Sequence, residues 1–172
     1  MLIVLAGLPA SGKSAIAVRL ATELRCAILS VDPIEAALWR AGIDRGQPTG
    51  LAAYVVAEDL AREQLRIGAD VIVDAVNDAE LARQQWRSLA AEQRVAIAFV
   101  EVICSDPEEH RRRLETRRRP LAGFAEPTWD AVRARSVGFD GWTDARLTID
   151  SMLSLDENLP LTLGYLRRVR EG

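Results

Sequence analysis

Lysine is almost missing from this chain: of its 22 basic residues, every one but Lys13 is arginine. Histidine is as scarce, with His110 alone. One imidazole leaves too few ligands for an ordinary zinc site, and a Ser-His-Asp triad would depend on a residue set among arginines, so both chemistries are set aside. The two cysteines, Cys26 and Cys104, have no CxxC spacing and lie at the edges of apolar runs. They are expected to be buried thiols of a reducing compartment, not a metal or redox pair. The opening MLIVLAGLPA lacks a basic segment, and its apolar stretch is too short for a signal peptide or a membrane span, which predicts a cytoplasmic protein. A formal net charge of -3 provides no basic field that would draw in nucleic acid or an anionic membrane. Any anion binding has to be local.

At 172 residues, 49% of them hydrophobic, the chain can bury a core of its own and is expected to form one domain over 1–172. Unbroken apolar runs suited to buried strands occur at Leu2 to Ala6, Cys26 to Leu29, Val71 to Val73, Val95 to Val102 and Leu147 to Ile149. Helical patterns lie between them, in AIAVRLATELR and at Asp32 to Ala41, Leu51 to Ile67, Asp78 to Ala91, Pro107 to Arg118, Pro127 to Val137 and about Pro160 to Arg170. This alternation predicts an α/β fold with a parallel sheet covered on both faces. Gly42 to Gly50 and Arg119 to Glu126 are rich in Gly, Pro and polar residues and read as the mobile connections.

The segment Gly7, Leu8, Pro9, Ala10, Ser11, Gly12, Lys13, Ser14 matches GxxxxGK[ST], and it stands where that motif works, after a buried strand and before a helix. Glycines let such a loop curl so that its N–H groups face a phosphate chain. Lys13 then reaches the β- and γ-phosphoryl oxygens, the Ser14 hydroxyl is a ligand for Mg²⁺, and the helix N-terminus adds partial positive charge. The one ammonium side chain of the molecule thus falls inside the motif. The pattern predicts binding of ATP, or of a similar nucleotide, with Mg²⁺.

Two carboxylates follow apolar runs. Asp32 comes two residues after the second run, at the start of a helix, where it serves either as a base toward an acceptor hydroxyl or as a helix cap. Asp74 ends VIVD in the manner of a Walker B element that holds Mg²⁺, with a turn carboxylate as the alternative. Asn77 or Asp78 is expected to cap the next helix. The segment HRRRLETRRRP places Arg113 and Arg117 one turn apart on a helix, with Arg118 and Arg119 running into a loop. Such arginines either close over the phosphates as a lid or form a solvated face paired with Glu108, Glu109 and Glu115. Trp39 and Tyr54 fit core packing as well as an acceptor pocket, and Glu35 could bind a polar acceptor or lie exposed.

In this order the elements GLPASGKS, SVD, VIVDAVN and CSDPEEHRRRLETR resemble the small P-loop kinases that include chloramphenicol phosphotransferase, gluconate kinase and the kinase domain of polynucleotide kinase. The resemblance runs from the loop to the run ending at Ile149. It implies a three-layer P-loop NTPase sandwich, a five-stranded parallel sheet in the order 2-3-1-4-5, and a helical lid at about 107–126 after the fourth strand. It also implies that Lys13, Asp32, Arg113 and Arg117 are catalytic, with Asp32 as the base, and that Arg113 and Arg117 touch the nucleotide. The expected activity is transfer of the γ-phosphoryl group of ATP to a hydroxyl of a small metabolite or antibiotic. Phosphorylation of nucleosides or polynucleotides is one alternative, and a nucleotide-dependent switch without an acceptor is another. Family members acting on polynucleotide ends resemble one another in an arginine shortly after the Asp32 position. Here the chain reads Asp32-Pro33-Ile34-Glu35, which disfavours a nucleic acid acceptor.

Overall fold

A computed structural model describes residues 1–119 and 126–172. Five strands, β1 (Leu2–Ala6), β2 (Ala27–Ser30), β3 (Val71–Asp74), β4 (Ile97–Ile103) and β5 (Arg146–Asp150), form one parallel sheet in the order β2-β3-β1-β4-β5. The fold class and strand order expected from the resemblance are therefore those of the molecule. Central strand β1 is buried at every residue, in register with β3 from Leu2 opposite Val71 and with β4 from Leu2 opposite Ile97.

Its side chains alternate between two cores, as the pleat requires. Leu2, Val4 and Ala6 pack with Val71, Val73, Trp86, Phe99 and Trp142 on one face. Ile3 and Leu5 pack with Ile16, Leu20, Ile72, Val100 and Leu166 on the other. Helices α3 (Thr49–Arg66) and α4 (Glu80–Gln93) supply the first face, and α1 (Lys13–Leu24) and α7 (Leu155–Glu171) the second. A fully buried Leu, Ile or Val contributes roughly 1.5–3 kcal/mol, so both faces of β1 are needed to hold the sheet. The remaining elements are α2 (Val31–Arg40), α5 (Pro107–Thr116), α6 (Trp129–Arg135) and a 3-10 turn at Ser136–Phe139. No helix among the described residues is long and apolar enough to cross a membrane.

Several local expectations need correction. Helix α7 starts at Leu155, well before Pro160, because Ser154 and Glu157 form a capping box that satisfies the first turn; Pro160 then sits inside the helix. Neither Asn77 nor Asp78 caps α4, whose N-cap is Ala79 with no side-chain bond. Cys26 and Cys104 are half-buried, not buried. Cys26 precedes edge strand β2, all of whose residues are half-buried, and Cys104 lies past the end of β4, with its sulfur 3.7 Å from that of Met152.

Asn77 is instead a buried hub in the left-handed region, at φ 53. Its Nδ2 donates to the Leu5 carbonyl at 2.8 Å and its Oδ1 accepts from Trp86 Nε1 at 2.9 Å, which ties β1 to α4. Asn77→Ala leaves a buried carbonyl and a buried indole N–H without partners. It is expected to lower unfolding free energy by about 2–4 kcal/mol in denaturant titration, at roughly 1–3 kcal/mol for each stranded group. A loss below about 0.5 kcal/mol would show that the hub does not hold the two elements.

Candidate functional site

The Gly7–Ser14 loop follows β1 and enters α1 through Gly12, the N-cap, at φ 100. No side chain caps α1 and no acidic residue stands in its first turn, so this helix end faces outward with its partial positive charge uncompensated. Gly7, at φ 142, lies so close to β4 that a Cβ there would come within 2.2 Å of the Val102 carbonyl oxygen. Only glycine fits. Ala10 also adopts a positive φ, 65, which completes the curl.

Lys13 is 8% exposed, and its Nζ donates to the Leu8 carbonyl at 3.0 Å, across the mouth of the loop. Burial lowers the pKa of this ammonium, while the carboxylates of Asp74 and Asp32 pull it back up. The neighbouring Ser14 hydroxyl donates to Asp74 Oδ2 at 2.7 Å, and the Ser30 hydroxyl approaches the same oxygen at 3.5 Å. A hydroxyl and a carboxylate side by side are two hard oxygen donors, a set suited to Mg²⁺ completed by phosphate oxygens and water. Among the described residues no group of three or more His, Cys, Asp or Glu forms a metal cluster.

His110 has a structural place. Its Nε2 donates to the Pro9 carbonyl at 2.8 Å, and its ring meets Trp129 edge to face at 5.2 Å between centroids. Burial pushes its pKa below the ordinary value, with Lys13 adding to the shift, so the neutral donor form is favoured. The loop is thereby fastened to α5 and α6.

Asp32 lies in the first turn of α2, beyond the N-cap Ser30, and so does not cap the helix. Its side chain is 40% exposed, and Oδ2 accepts from Arg119 Nη1 at 2.5 Å. The sequence pointed to Arg119 only as part of the arginine run entering a loop, and not as a partner of Asp32. The expected pairing of Arg113 with Arg117 on one helical face is corrected, because α5 ends at Thr116 and Arg117 is extended, at φ −61 and ψ 145. In extended chain the side-chain period is two, so Arg117 and Arg119 point the same way, and both bond Glu126. Arg113, half-buried, donates instead to Glu109 at 2.8 Å and to Ser151 Oγ at 2.7 Å. Burial, with Arg119 beside it, holds the Arg117 pKa below the usual guanidinium value. Of the expected lid at about 107–126, residues 120–125 lie outside the described residues.

These side chains share one cavity of about 400 Å³, lined by Lys13, Ser14, Asp32, Asp74, Arg113, Arg117 and Arg119 among others. It opens beyond the carboxyl ends of the parallel strands, where open α/β sheets hold ligands. Cationic side chains, two carboxylates and a loop of N–H groups around one space suit a polyphosphate and its metal ion. Glu35 accepts from Thr49 Oγ1 through Oε1 at 2.8 Å, while Trp39 Nε1 donates to the same hydroxyl at 2.9 Å.

Residues 2–136 match the model of the AAA domain family. No curated protein sequence matches the chain. Among solved structures, a Chloroflexus aurantiacus protein assigned as a kinase is 18% identical, with 95% of this chain and 97% of that chain covered and a TM-score of 0.73. A gluconokinase from Sinorhizobium meliloti is 18% identical over 98% and 93% of the two chains, with a TM-score of 0.70. Kti12 from Chaetomium thermophilum, solved in complex with ADP-AlF3, is 19% identical over 96% and 98%, also at 0.70.

Proposed function

This chain belongs to the AAA domain family, and we propose that it is an ATP-dependent phosphotransferase that moves the γ-phosphoryl group to a hydroxyl of a small molecule. The observation that carries the reading is the shared cavity, in which the Gly7–Ser14 loop, the Ser14–Asp74 pair, Asp32 and the arginines converge. The chain is also similar in fold to a gluconokinase and to a protein solved with ADP-AlF3, which supports a nucleotide-handling kinase.

In this reading Gly7 to Ser14 enclose the phosphates and Lys13 neutralises the β- and γ-oxygens. Ser14 and Asp74 hold Mg²⁺, which supplies charge compensation between the phosphoryl groups. Asp32 receives the acceptor hydroxyl on Oδ1, an oxygen to which no described residue donates, while Arg119 fixes the carboxylate through Oδ2. The loose transition state of phosphoryl transfer needs positioning more than basicity, so the pairing suits orientation of the hydroxyl. Arg117, freed from Glu126, offers charge to the transferring group, and Arg113 holds the Ser151 turn against the loop. The chain works as a single domain over 1–172.

The test is ADP release measured with ATP and Mg²⁺ across a panel of sugars, sugar alcohols, sugar acids, nucleosides and hydroxylated antibiotics. At least one acceptor is expected to raise the rate well above the acceptor-free level. Strong ADP release that no acceptor changes would point to a switch or regulatory ATPase.

A further inference from the structure

Arg117 stands on a wall between two cavities. One is the space of about 400 Å³ that it shares with Lys13, Ser14, Asp32 and Asp74. The other, of about 630 Å³, lies between α5 and α6, and there Arg117 meets Glu126. The Arg117 guanidinium donates to Glu126 Oε2 through Nε, at 2.7 Å, and through Nη2. Glu126 Oε1 accepts from Arg119 Nε at 2.7 Å, while Arg119 Nη1 holds Asp32. Both oxygens of one carboxylate are thus engaged by two guanidiniums. The three side chains are only 20% to 30% exposed, so the repulsion between neighbouring guanidiniums is weakly screened and calls for an anion beside them. A carboxylate and a phosphoryl group offer oxygens of the same kind to a guanidinium fork, and the two compete for it.

We propose that Glu126 is a built-in counter-anion for the terminal phosphoryl group: it keeps Arg117 while the site is empty or holds a nucleoside diphosphate, and a nucleoside triphosphate has to displace it. This rests on the nucleotide reading above and adds the residue that sets how the site tells a triphosphate from a diphosphate. The N–H groups of the loop and Lys13 already take the β-phosphate, so the third phosphoryl group is the one left for the arginine. Displacing Glu126 costs the triphosphate part of its ground-state affinity. The charge of Arg117 is thereby reserved for the group in transfer, where an interaction raises the rate instead of only tightening the substrate. A diphosphate breaks no pair and gains no guanidinium. After transfer Arg117 returns to Glu126, and the product is held by the loop alone. Arg119 keeps Asp32 through Nη1 in either state, because Glu126 engages only its Nε.

The experiment is calorimetric titration of the full chain with ADP and with the β,γ-imido analogue of ATP, each with Mg²⁺. Glu126→Gln is expected to tighten the triphosphate analogue about three- to tenfold, the worth of one or two partly exposed ion pairs, and to leave ADP within about twofold. A thermal melt should find the variant folded, since pairs this exposed add little to stability. Glu126→Ser is titrated alongside, with the same result expected. Adding Arg117→Gln to Glu126→Gln is expected to remove the gain, which assigns it to that guanidinium and not to the loss of a negative charge in general. Glu126 variants that leave the analogue unmoved, weaken it, or tighten ADP as much would overturn the counter-anion while leaving the nucleotide site standing. So would a gain that persists without Arg117. Failure of the original chain to bind either nucleotide would sink the nucleotide reading and the counter-anion with it.

Discussion

Lys13→Ala is expected to abolish measurable nucleotide binding at micromolar concentrations while the protein stays folded. The ammonium lies at the mouth of the loop, bonded to the Leu8 carbonyl, and no other lysine exists to take its place. Truncating one partner of a desolvated charge pair typically costs about 2–5 kcal/mol, or roughly 30-fold to several thousand-fold in affinity. Stability should change little. Burial already works against the charged form of Lys13, so its removal deletes a desolvation cost together with its attraction to Asp74 and Asp32. Calorimetric titration with ATP and Mg²⁺, alongside a thermal melt, reads both quantities. A folded Lys13→Ala protein that binds ATP within a few-fold of the original would remove the nucleotide assignment of the loop.

Asp32→Asn carries the second large effect and separates a kinase from a protein that only hydrolyses or senses ATP. The amide keeps the size of the side chain but loses the charge that holds Arg119 and the basic oxygen offered to a hydroxyl. Acceptor-dependent ADP release is expected to fall by about 10²-fold, the cost of a misplaced acceptor hydroxyl, while nucleotide affinity stays within a few-fold. Stability should be nearly unaffected. The Asp32–Arg119 pair is partly exposed, and pairs of that kind contribute about 0–1 kcal/mol. Because Asp32 does not cap α2, Asp32→Ala should likewise avoid the penalty of about 1 kcal/mol that a lost cap brings. Full acceptor-dependent activity in Asp32→Asn would falsify the role given to this carboxylate.

The sheet and the loop were legible in the sequence because both rest on short-range chemistry. Strands buried on two faces must be apolar throughout, and Leu2–Ala6 and Val71–Asp74 are so up to their final residues. The glycine and lysine spacing of the loop carries its own geometry. Resemblance, not periodicity, supplied the strand order. The arginines were harder, since which of them share a side depends on where α5 stops. Continued as a helix the run pairs Arg113 with Arg117, and turned extended after Thr116 it pairs Arg117 with Arg119. Nothing local fixes that choice, and the contacts that accompany it, with Asp32 and Glu126, come from distant or later chain. Asn77 escaped for a related reason: a left-handed backbone at a non-glycine residue is sustained by partners on β1 and α4 that only the fold brings near.

The tether from His110 to the loop gives the molecule a reporter of its own. Trp129 stands edge to face with an imidazole that holds the Pro9 carbonyl, so its indole is only two contacts from the place where phosphates would sit. A ligand that shifts Pro9 must move or repolarise that imidazole, and indole emission responds to both. Occupancy of the loop can then be followed by the intrinsic fluorescence of Trp129, with Trp39, Trp86 and Trp142 replaced by phenylalanine as far as their packing allows, and without any attached dye.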